Sequence, residues 1–378
     1  MSSNQTSSRA LAAAFLSPLG PPRPLPPIDV TDFLERGAAE GVLGLVYARV
    51  RETNAADDLP APLVDGLRAA VHRQAAVELA QRIELQRLVA ALRDRGCDML
   101  LMKGASLAYD VYPDPAWRVR SDVDMFIRES GRDQVRACLE ELGYIVAQDA
   151  AGRLAAYQFH AERRDGRGIR HLCDVHWKIA NRQRFAGAIA FDELAGAAIA
   201  LPRLAPDARG FGRAHALWLA CVHRAAHHYD QDTLVWLYDV HLLVEALDAA
   251  GVVQFVALAE RSGVRRICLR ALLLARSLFG TTIPAAVIDA LETAPENEAS
   301  AIYLRPGMRR VDVLLDDLRA LPGWRSRLLL LKDVLFPDAG YMRADAAGSP
   351  APVCWLYVRR IVGGIAAWFR RDSTTAQR

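Results

Sequence analysis

The feature that most constrains this chain is the stretch 98–128, which ends in an Asp-x-Asp pair at the start of a short apolar run. Asp122 and Asp124 precede the apolar residues 125–127, a pattern typical of a buried strand. Side chains alternate along a strand, so the two carboxylates point the same way. At a rise of ~3.3 Å per residue they stand ~6.6 Å apart, a span that divalent cations can bridge. The pair therefore predicts a buried sheet with a metal-binding end.

A further carboxylate lies on a second predicted strand, residues 169–179, where Asp174 and His176 alternate with apolar side chains. Three neighbouring carboxylates repel one another, by ~4 kcal/mol per pair at 4 Å and an effective dielectric constant near 20. A bound Mg²⁺ or Mn²⁺ would remove that cost, and two such ions can activate a hydroxyl and neutralise phosphate charge. We therefore predict that Asp122, Asp124 and Asp174 bind metal ions.

A turn upstream of the pair has the residues to bind phosphate. Lysine is rare in this chain, and Lys103 follows an apolar run, 99–102, that predicts a strand. Glycine permits close backbone approach, helix-start amides offer donors, and the ammonium supplies charge. The guanidinium groups of nearby arginines have the geometry to bind phosphate oxygens, but they could equally be solvated charges at a strand edge. The residues predicted to contact a triphosphate are Lys103, Gly104, Ser106, Arg118 and Arg120.

These motifs together resemble the nucleotidyltransferase-like family NTP_transf_5, a branch of the DNA polymerase beta nucleotidyltransferase superfamily. The residues that carry the resemblance are Leu101-Met102-Lys103-Gly104, Tyr112-Pro113, Arg118, Ser121-Asp122-Val123-Asp124 and Asp174-Val175-His176-Trp177. It extends to the helical segment with His223, His227, His228, Trp236 and Asp239, and to Leu335-Phe336-Pro337 with Tyr357 and Arg359.

The resemblance implies that Asp122, Asp124 and Asp174 bind two metal ions, Mg²⁺ or Mn²⁺. It implies transfer of a nucleoside monophosphate from a nucleoside triphosphate such as ATP to a hydroxyl acceptor, with release of pyrophosphate. The acceptor is left open between a small molecule, a protein side chain and a nucleic-acid end. Better-known members carry a Gly-Ser pair shortly before the Asp-x-Asp, whereas Lys103-Gly104 lies farther upstream here.

Two other functions remain open from the sequence. The first is a non-catalytic nucleotide- or protein-binding regulatory module that keeps the same fold. The second is a glycosyltransferase that uses its Asp-x-Asp to hold Mn²⁺ and a sugar nucleotide. Against the second, the chain lacks the alternating strands and helices of a doubly wound nucleotide domain, and Asp174 would have no role.

The predicted fold class is α+β, a small mixed-sheet nucleotidyltransferase core flanked by largely helical N- and C-terminal regions. Helical spacing of apolar residues dominates before residue 95 and after about residue 191. The predicted organisation is a flexible Pro-rich arm at 1–28, a helical lead-in at 29–95, the core at 96–180 and a helical region at 181–378.

The composition of the chain bears on its cellular compartment and on its binding partners. A net charge of +3 gives no strong signal for nucleic acid, and six scattered cysteines are typical of single thiols in a reducing cytoplasm. We therefore predict a cytoplasmic protein. No apolar run reaches the ~18 residues of a membrane-spanning helix. The apolar stretch 353–371 predicts a docked amphipathic helix, with weak membrane-surface contact as the alternative.

The histidines have structural readings beside the chemical ones. His223 and His227 lie four apart on a predicted helix, but the segment lacks the glutamate of the zinc-peptidase motif and a third ligand. We therefore predict core or cleft-lining histidines. His176 shares a strand face with Asp174, where it would orient that carboxylate or contact substrate. Trp236 and Asp239 are interpreted as helix packing and a polar contact toward the cleft.

Overall fold

The apolar runs of the sequence pair into one mixed sheet of seven strands. The computed structural model describes residues 2–147, 154, 156–345 and 351–369. The strand order is β3-β4-β5-β2-β1-β7-β6, in which β2 pairs in parallel with β5 and β1 with β7, and the other pairs are antiparallel. The strands are β1 (Met99–Met102), β2 (Val123–Ile127), β3 (Ile145–Val146), β4 (Gln158–Arg164), β5 (Arg170–His176), β6 (Ile199–Ala200) and β7 (Arg209–Gly210).

Helices surround this sheet on both sides of the core in sequence, so the predicted α+β class is confirmed. The N-terminal helices are α1 (Ser2–Leu16), α2 (Val30–Ala39), α3 (Leu43–Glu52) and α4 (Ala61–Asp94). Within and just after the core lie α5 (Lys103–Asp110), α6 (Arg132–Glu141), α7 (Gln183–Ala186) and α8 (Phe191–Gly196). The C-terminal helices are α9 (Arg213–His228), α10 (Leu234–Glu245), α11 (Ala249–Arg261), α12 (Arg265–Phe279), α13 (Ala285–Glu292), α14 (Arg310–Ala320), α15 (Gly323–Leu335), α16 (Ala339–Asp345) and α17 (Val353–Phe369).

Alternation along the strands divides the core into two clusters. Leu100 and Phe126 belong to the larger cluster, which packs against the helices on one face of the sheet. Leu101 and Met125, one position away, belong to the second cluster with α4 and α6 on the other face. Asp124 shares the parity of Phe126, so its side chain points toward the helical side. This alternation places the predicted metal ligands between the sheet and the C-terminal helices.

The N-terminal segment differs from the flexible arm predicted for residues 1–28. Part of it forms α1, whose Leu11 and Phe15 are buried in the larger core cluster. Phe15 meets Phe33 of α2 edge-on at 6.2 Å between ring centroids, and Ser8 Oγ donates to Asp32. The apolar residues 10–16 lie within this docked helix. Sequence periodicity missed it because prolines follow at once.

The larger cluster contains residues from all four predicted ranges, so the helical regions and the core share one apolar interior. The boundaries at residues 28, 95 and 180 stay predictions. The stretch predicted as an amphipathic helix, 353–371, forms α17 up to Phe369, and its last two residues lie outside the described residues, as do Met1 and the end of the C-terminal range. Among the described helices, none is both long and apolar enough to cross a membrane.

Candidate active site

Three adjacent strands bring the predicted metal ligands side by side. In the register of the sheet, Met102 of β1 faces Asp124 of β2, and Asp124 faces Asp174 of β5. Neighbouring strands lie ~4.8 Å apart, so Lys103, which follows β1, and both carboxylates stand in a row across the sheet. Asp122 lies one residue before β2, two residues from Asp124, on the same side.

Asp124 is the electrostatic centre of this row. Its Oδ1 accepts hydrogen bonds from Lys103 Nζ at 2.6 Å and from His176 Nε2 at 3.1 Å. Burial alone would raise the pKa of Asp124, but the ammonium of Lys103 and the hydrogen bond from His176 outweigh it and lower the pKa well below its usual value. Asp124 is therefore held ionised although its side chain is only 8% exposed.

The other two carboxylates differ from Asp124. The pKa of Asp122 is raised, and Asp174 has a histidine partner of its own. Burial raises the pKa of Asp122, and the negative charges of Asp124 and Asp174 raise it further. Asp174 accepts a hydrogen bond of 2.6 Å from Nδ1 of His160 on β4. The pKa of His160 is raised, chiefly by this bond. The carboxylates thus repel one another, and they accept hydrogen bonds from the ammonium of Lys103 and from two histidine rings.

His176 is a buried, uncharged neighbour of these carboxylates. Burial lowers its pKa, as does the ammonium of Lys103, although Asp124 opposes both. Its Nδ1 is buried without a hydrogen-bond partner. Among the described residues, Asp124, Asp174 and His176 form a group whose ligand atoms all lie within 4.8 Å of one another, close enough to hold a metal ion.

Lys103 reaches Asp124 from a strained backbone position. It has φ +53°, the left-handed region that residues with a Cβ adopt at a cost of ~1–2 kcal/mol. Strain of this kind persists where surrounding structure enforces it and is frequent at functional sites. Lys103 also begins α5, whose first amides have no partner within the helix. The predicted phosphate turn is therefore a strand end, a strained lysine and a helix N-terminus.

Gly104 is required by a neighbouring guanidinium. A Cβ at this position would stand 3.3 Å from Cζ and Nη1 of Arg118, so a side chain here would press on that group. Arg118 is buried and donates two hydrogen bonds of 2.7 Å to the carboxylate of Asp239 on α10 and a third to the carbonyl oxygen of Val119. Tyr112 donates to Asp239 as well. Arg118 therefore joins the core to α10, and its contact with triphosphate stays a prediction.

Arg120 and Ser106 also have structural partners. Arg120 forms an ion pair of 2.6 Å with Glu78 of α4, and both side chains are buried. A buried guanidinium without such a partner would be costly, which explains why Arg120 is engaged. Ser106 is buried, and its Oγ occupies the place where a Cβ on Gly210 of β7 would lie. Contact of these two residues with triphosphate stays a prediction.

A cavity of about 600 Å³ opens between this row and the C-terminal helices. Lys103, Gly104, the three aspartates and His176 line one end, and Arg118 and Arg120 also line the cavity. A second cavity, of about 480 Å³, lies beside β3, β4 and β5 and is lined by His160 and Glu162. Asp122 and Asp174 line both cavities. The carboxylates thus stand between two binding volumes.

The histidines of α9 line the first cavity, as predicted for a cleft. His223, His227 and His228 lie there with Trp236 of α10. His223 and His228 are joined by a contact of 3.1 Å between their Nε2 atoms, in which one ring donates and the other accepts. None of the three belongs to the possible metal group found among the described residues.

One functional candidate was missed from the sequence. His160 faces Asp174 across the antiparallel pair of β4 and β5, a relation that needs the strand register. The sequence places His160 in a predicted strand without saying which strand it pairs with. Only a correct pairing of 157–161 with 169–179 would have revealed this contact.

Comparison with known proteins gives a family match and distant likenesses to solved structures. The model of a family described as uncharacterised nucleotidyltransferase matches residues 26–280. No curated protein matches the chain. Among solved structures, the solution structure of the antibiotic-resistance factor ANT(2'')-Ia is 19% identical, with a TM-score of 0.35, and the match covers 49% of this chain and 94% of that one. With two thirds of its length matched by the family model, and with Lys103, the Asp-x-Asp pair and Asp174 inside the match, this chain belongs to the nucleotidyltransferase family NTP_transf_5.

Proposed function

We propose that this protein is a metal-dependent nucleotidyltransferase that moves a nucleoside monophosphate from a nucleoside triphosphate to a hydroxyl acceptor and releases pyrophosphate. The observation that carries the proposal is the row formed by Lys103 at the end of β1, Asp124 on β2 and Asp174 on β5, with Asp122 beside it, at the wall of a cavity. An ammonium and three carboxylates at one wall suit a polyphosphate and its counter-ions.

The residues present fit a divalent cation. The raised pKa of Asp122 reflects its burial and, next, the repulsion by Asp124 and Asp174, and Lys103 already supplies one positive charge to Asp124. The ligand atoms of Asp124, Asp174 and His176 lie within 4.8 Å of one another, and we propose that these residues and Asp122 hold the metal. A bound Mg²⁺ or Mn²⁺ would supply charge neutralisation at the phosphates and a lower pKa for the acceptor hydroxyl.

The chain's own residues would bind and orient the two substrates. Lys103 and the first amides of α5 would hold the phosphate oxygens of the donor in the first cavity. Asp174 would orient the acceptor hydroxyl in the second cavity and take its proton, while His160 fixes the carboxylate by donating from Nδ1. The hydroxyl oxygen would bond to the α-phosphorus as the bond to the bridging oxygen breaks, and pyrophosphate would leave.

Two cavities that share Asp122 and Asp174 favour a two-substrate enzyme over a module that binds one nucleotide. Transfer needs the donor and acceptor on opposite sides of the reacting phosphorus. The glycosyltransferase alternative is disfavoured because the sheet is mixed and its strand order is not that of a doubly wound nucleotide domain.

The test is a transfer assay with α-labelled nucleoside triphosphates, Mg²⁺ or Mn²⁺ and a panel of small hydroxyl compounds, serine-containing proteins and oligonucleotides. Wild type should label one acceptor class and release pyrophosphate, and Asp122→Asn should reduce the rate at least ~100-fold because the metal site loses a charge. Equal rates for both proteins would refute the assignment of the carboxylates.

Calorimetry with a non-hydrolysable α,β-methylene triphosphate separates the binding-module alternative from the enzyme. The enzyme should need the divalent ion for tight binding and should lose it in Asp122→Asn. Binding that is unchanged by EDTA and by this substitution would favour the regulatory module. Asp133→Asn is the matched control, since this exposed aspartate lies on α6 outside both cavities.

A further inference from the structure

Four aromatic rings line a part of the first cavity that has no role in the proposed transfer chemistry. We call His223, His227 and His228 of α9 and Trp236 of α10 the aromatic wall. His227 stacks on His223 with centroids 4.8 Å apart, His223 meets His228 edge-on at 4.8 Å, and His228 lies against Trp236 at 4.0 Å. The rings are half-buried and line the cavity.

The corner between α9 and α10 holds this wall in place. Tyr229 and Asp230 take left-handed φ values of +52° and +57°, which turn the chain sharply after α9. The buried side chain of Arg224 pairs with Asp230 and donates to the carbonyl oxygen of Gln231 at 3.1 Å. The rings on either side of the corner are therefore set in position before any ligand enters, which reduces the entropy lost on binding.

The aromatic wall is uncharged at neutral pH. Burial lowers the pKa of His223 and His227 well below the usual value, and the nearby ammonium of Lys103 adds to this effect. Burial lowers the pKa of His228 to about 4. Neutral rings offer no charge to phosphate, but they offer flat apolar faces and ring nitrogens. The cavity therefore has a charged end at the carboxylates and a neutral aromatic end.

Small side chains leave open space beside the wall. Ala38, Ala39 and Gly41, from α2 and the turn after it, line the cavity together with Ala216 and Ala220 of α9. A Cβ on Gly41, which has φ +70°, would stand 3.1 Å from the side chain of Val235. This open space next to flat rings suits a planar ligand better than a branched one.

We propose that the aromatic wall binds the nucleobase of the donor triphosphate by stacking, with purines favoured over pyrimidines. The inference rests on the proposed function, because it assumes that the phosphates occupy the charged end of the same cavity. Bases stack on aromatic side chains irrespective of sequence, and the larger purine face gains more contact. Ring nitrogens of the neutral histidines can accept hydrogen bonds from an exocyclic amino group. An aromatic acceptor at this wall is the alternative that the experiment can reveal.

The experiment compares two probes that share a triphosphate and differ in the base. Calorimetry with Mn²⁺ measures the Kd of α,β-methylene-ATP and of inorganic tripolyphosphate for wild type and Trp236→Leu. The nucleotide analogue should bind about tenfold more weakly to the variant, which equals ~1.4 kcal/mol, while the Kd of tripolyphosphate stays unchanged. The preference for the ATP analogue over its CTP counterpart should shrink in the same variant.

Three further proteins control for general damage. Trp236→Phe keeps a flat ring and should keep most of the nucleotide affinity, and His228→Leu should behave like Trp236→Leu. Trp324→Leu removes a tryptophan that is 66% exposed on α15, away from the cavity, and should change neither Kd. Thermal melting shows whether each variant is folded.

The outcomes separate this inference from the proposed function. If Trp236→Leu weakens both probes equally, or neither, the wall does not hold the base, although transfer activity would stand. If wild type binds tripolyphosphate and the nucleotide with the same Kd, the inference also fails. If wild type binds neither probe in the presence of Mn²⁺, the proposed function fails with it. Wall-dependent binding of an aromatic acceptor in place of the nucleotide would overturn the assignment to the donor.

Discussion

His176 distinguishes this site from a set of carboxylates alone. Its Nε2 lies 3.1 Å from Asp124 Oδ1, close to the ~3.0 Å expected between adjacent ligands of an octahedral ion with bonds of ~2.1 Å. An ion bound to Nε2 would take the place of the proton there. The proton of the neutral ring would then lie on Nδ1, which is buried and has no hydrogen-bond partner among the described residues. Imidazole suits first-row transition ions more than Mg²⁺, so we expect tighter binding of Mn²⁺.

Pulsed electron paramagnetic resonance of the Mn²⁺-loaded protein tests this expectation. Wild type should show the coupling of a directly bound ¹⁴N nucleus, and His176→Asn should lose it together with the preference for Mn²⁺ over Mg²⁺. His160→Asn is the matched control, because His160 contacts Asp174 from the other cavity and its loss should leave the coupling intact. Bound Mn²⁺ without nitrogen coupling in wild type would show that His176 only orients Asp124.

His228 links the cavity to the stability of the fold. Its pKa falls from 6.5 to about 4 on folding, because burial disfavours the charged ring. Between pH ~4 and ~6.5, His228 is therefore protonated in the unfolded chain but not in the folded one. Its contribution to the free energy of unfolding is fully present above pH ~6.5 and is lost as the pH drops toward ~4. The loss attributable to this ring is at most ~3 kcal/mol.

Urea denaturation at pH 7 and pH 4.5 measures the contribution of this ring. The free energy of unfolding should fall less in His228→Gln than in wild type over this interval. His72→Gln, which changes an exposed histidine on α4, should leave the wild-type fall unchanged. An equal fall in wild type and in His228→Gln would contradict the assigned shift.

At the scale of elements, α5 and β7 approach more closely than ordinary side chains allow. The Oγ of Ser106 occupies the position of a Cβ on Gly210, and Leu201 would stand 3.0 Å from the same Cβ. Gly210→Ala should therefore destabilise the protein by ~1–3 kcal/mol, as overpacking of a core does. Adding Ser106→Ala should restore part of this loss, since the hydroxyl would no longer collide.

Chemical denaturation of both single variants and the double variant gives the coupling between these positions. Ser106→Ala alone should keep nucleotide binding at the wild-type level, because its hydroxyl faces β7. A large loss of triphosphate affinity in Ser106→Ala would instead support the contact predicted from the sequence. Additive losses in the double variant would mean that the two elements relax independently.

The sequence was informative about elements and less so about their partners. Apolar runs located β1 and β2, a period-two pattern located β5, and period-3.6 patterns located α4 and the C-terminal helices. The two-residue strands β6 and β7 carry too short a pattern to be detected. The carboxylate partners of Arg118 and Arg120, Asp239 and Glu78, lie far away in sequence, so the sequence did not predict these ion pairs. Contacts of that kind depend on tertiary packing, which local patterns do not encode.

At the scale of the whole molecule, one buried ion pair joins the sheet to the helices that close the cavity. Arg118 follows a short turn before β2, and Asp239 lies in the middle of α10. The side chains are 9% and 6% exposed, and Tyr112 adds its hydroxyl to Asp239 at 2.7 Å. Burial disfavours the charge of Arg118, but Asp239 raises its pKa above the usual value. Arg118 thus keeps its charge within the apolar interior that the helices and the sheet share.

Removing one partner of this pair should cost more than removing both. Asp239→Ala leaves a guanidinium buried without its counter-charge, so the free energy of unfolding should fall by ~3–5 kcal/mol. The double variant Arg118→Met, Asp239→Leu buries apolar groups of similar size and should lose clearly less than Asp239→Ala, as measured by urea denaturation. If the free energy of unfolding lost by the double variant equals the sum of the losses in Arg118→Met and Asp239→Leu alone, the two residues are not coupled. If the two residues are coupled, this ion pair outside the transfer site helps to fix the shape of the cavity. The double variant should then fold but bind the methylene triphosphate more weakly than wild type.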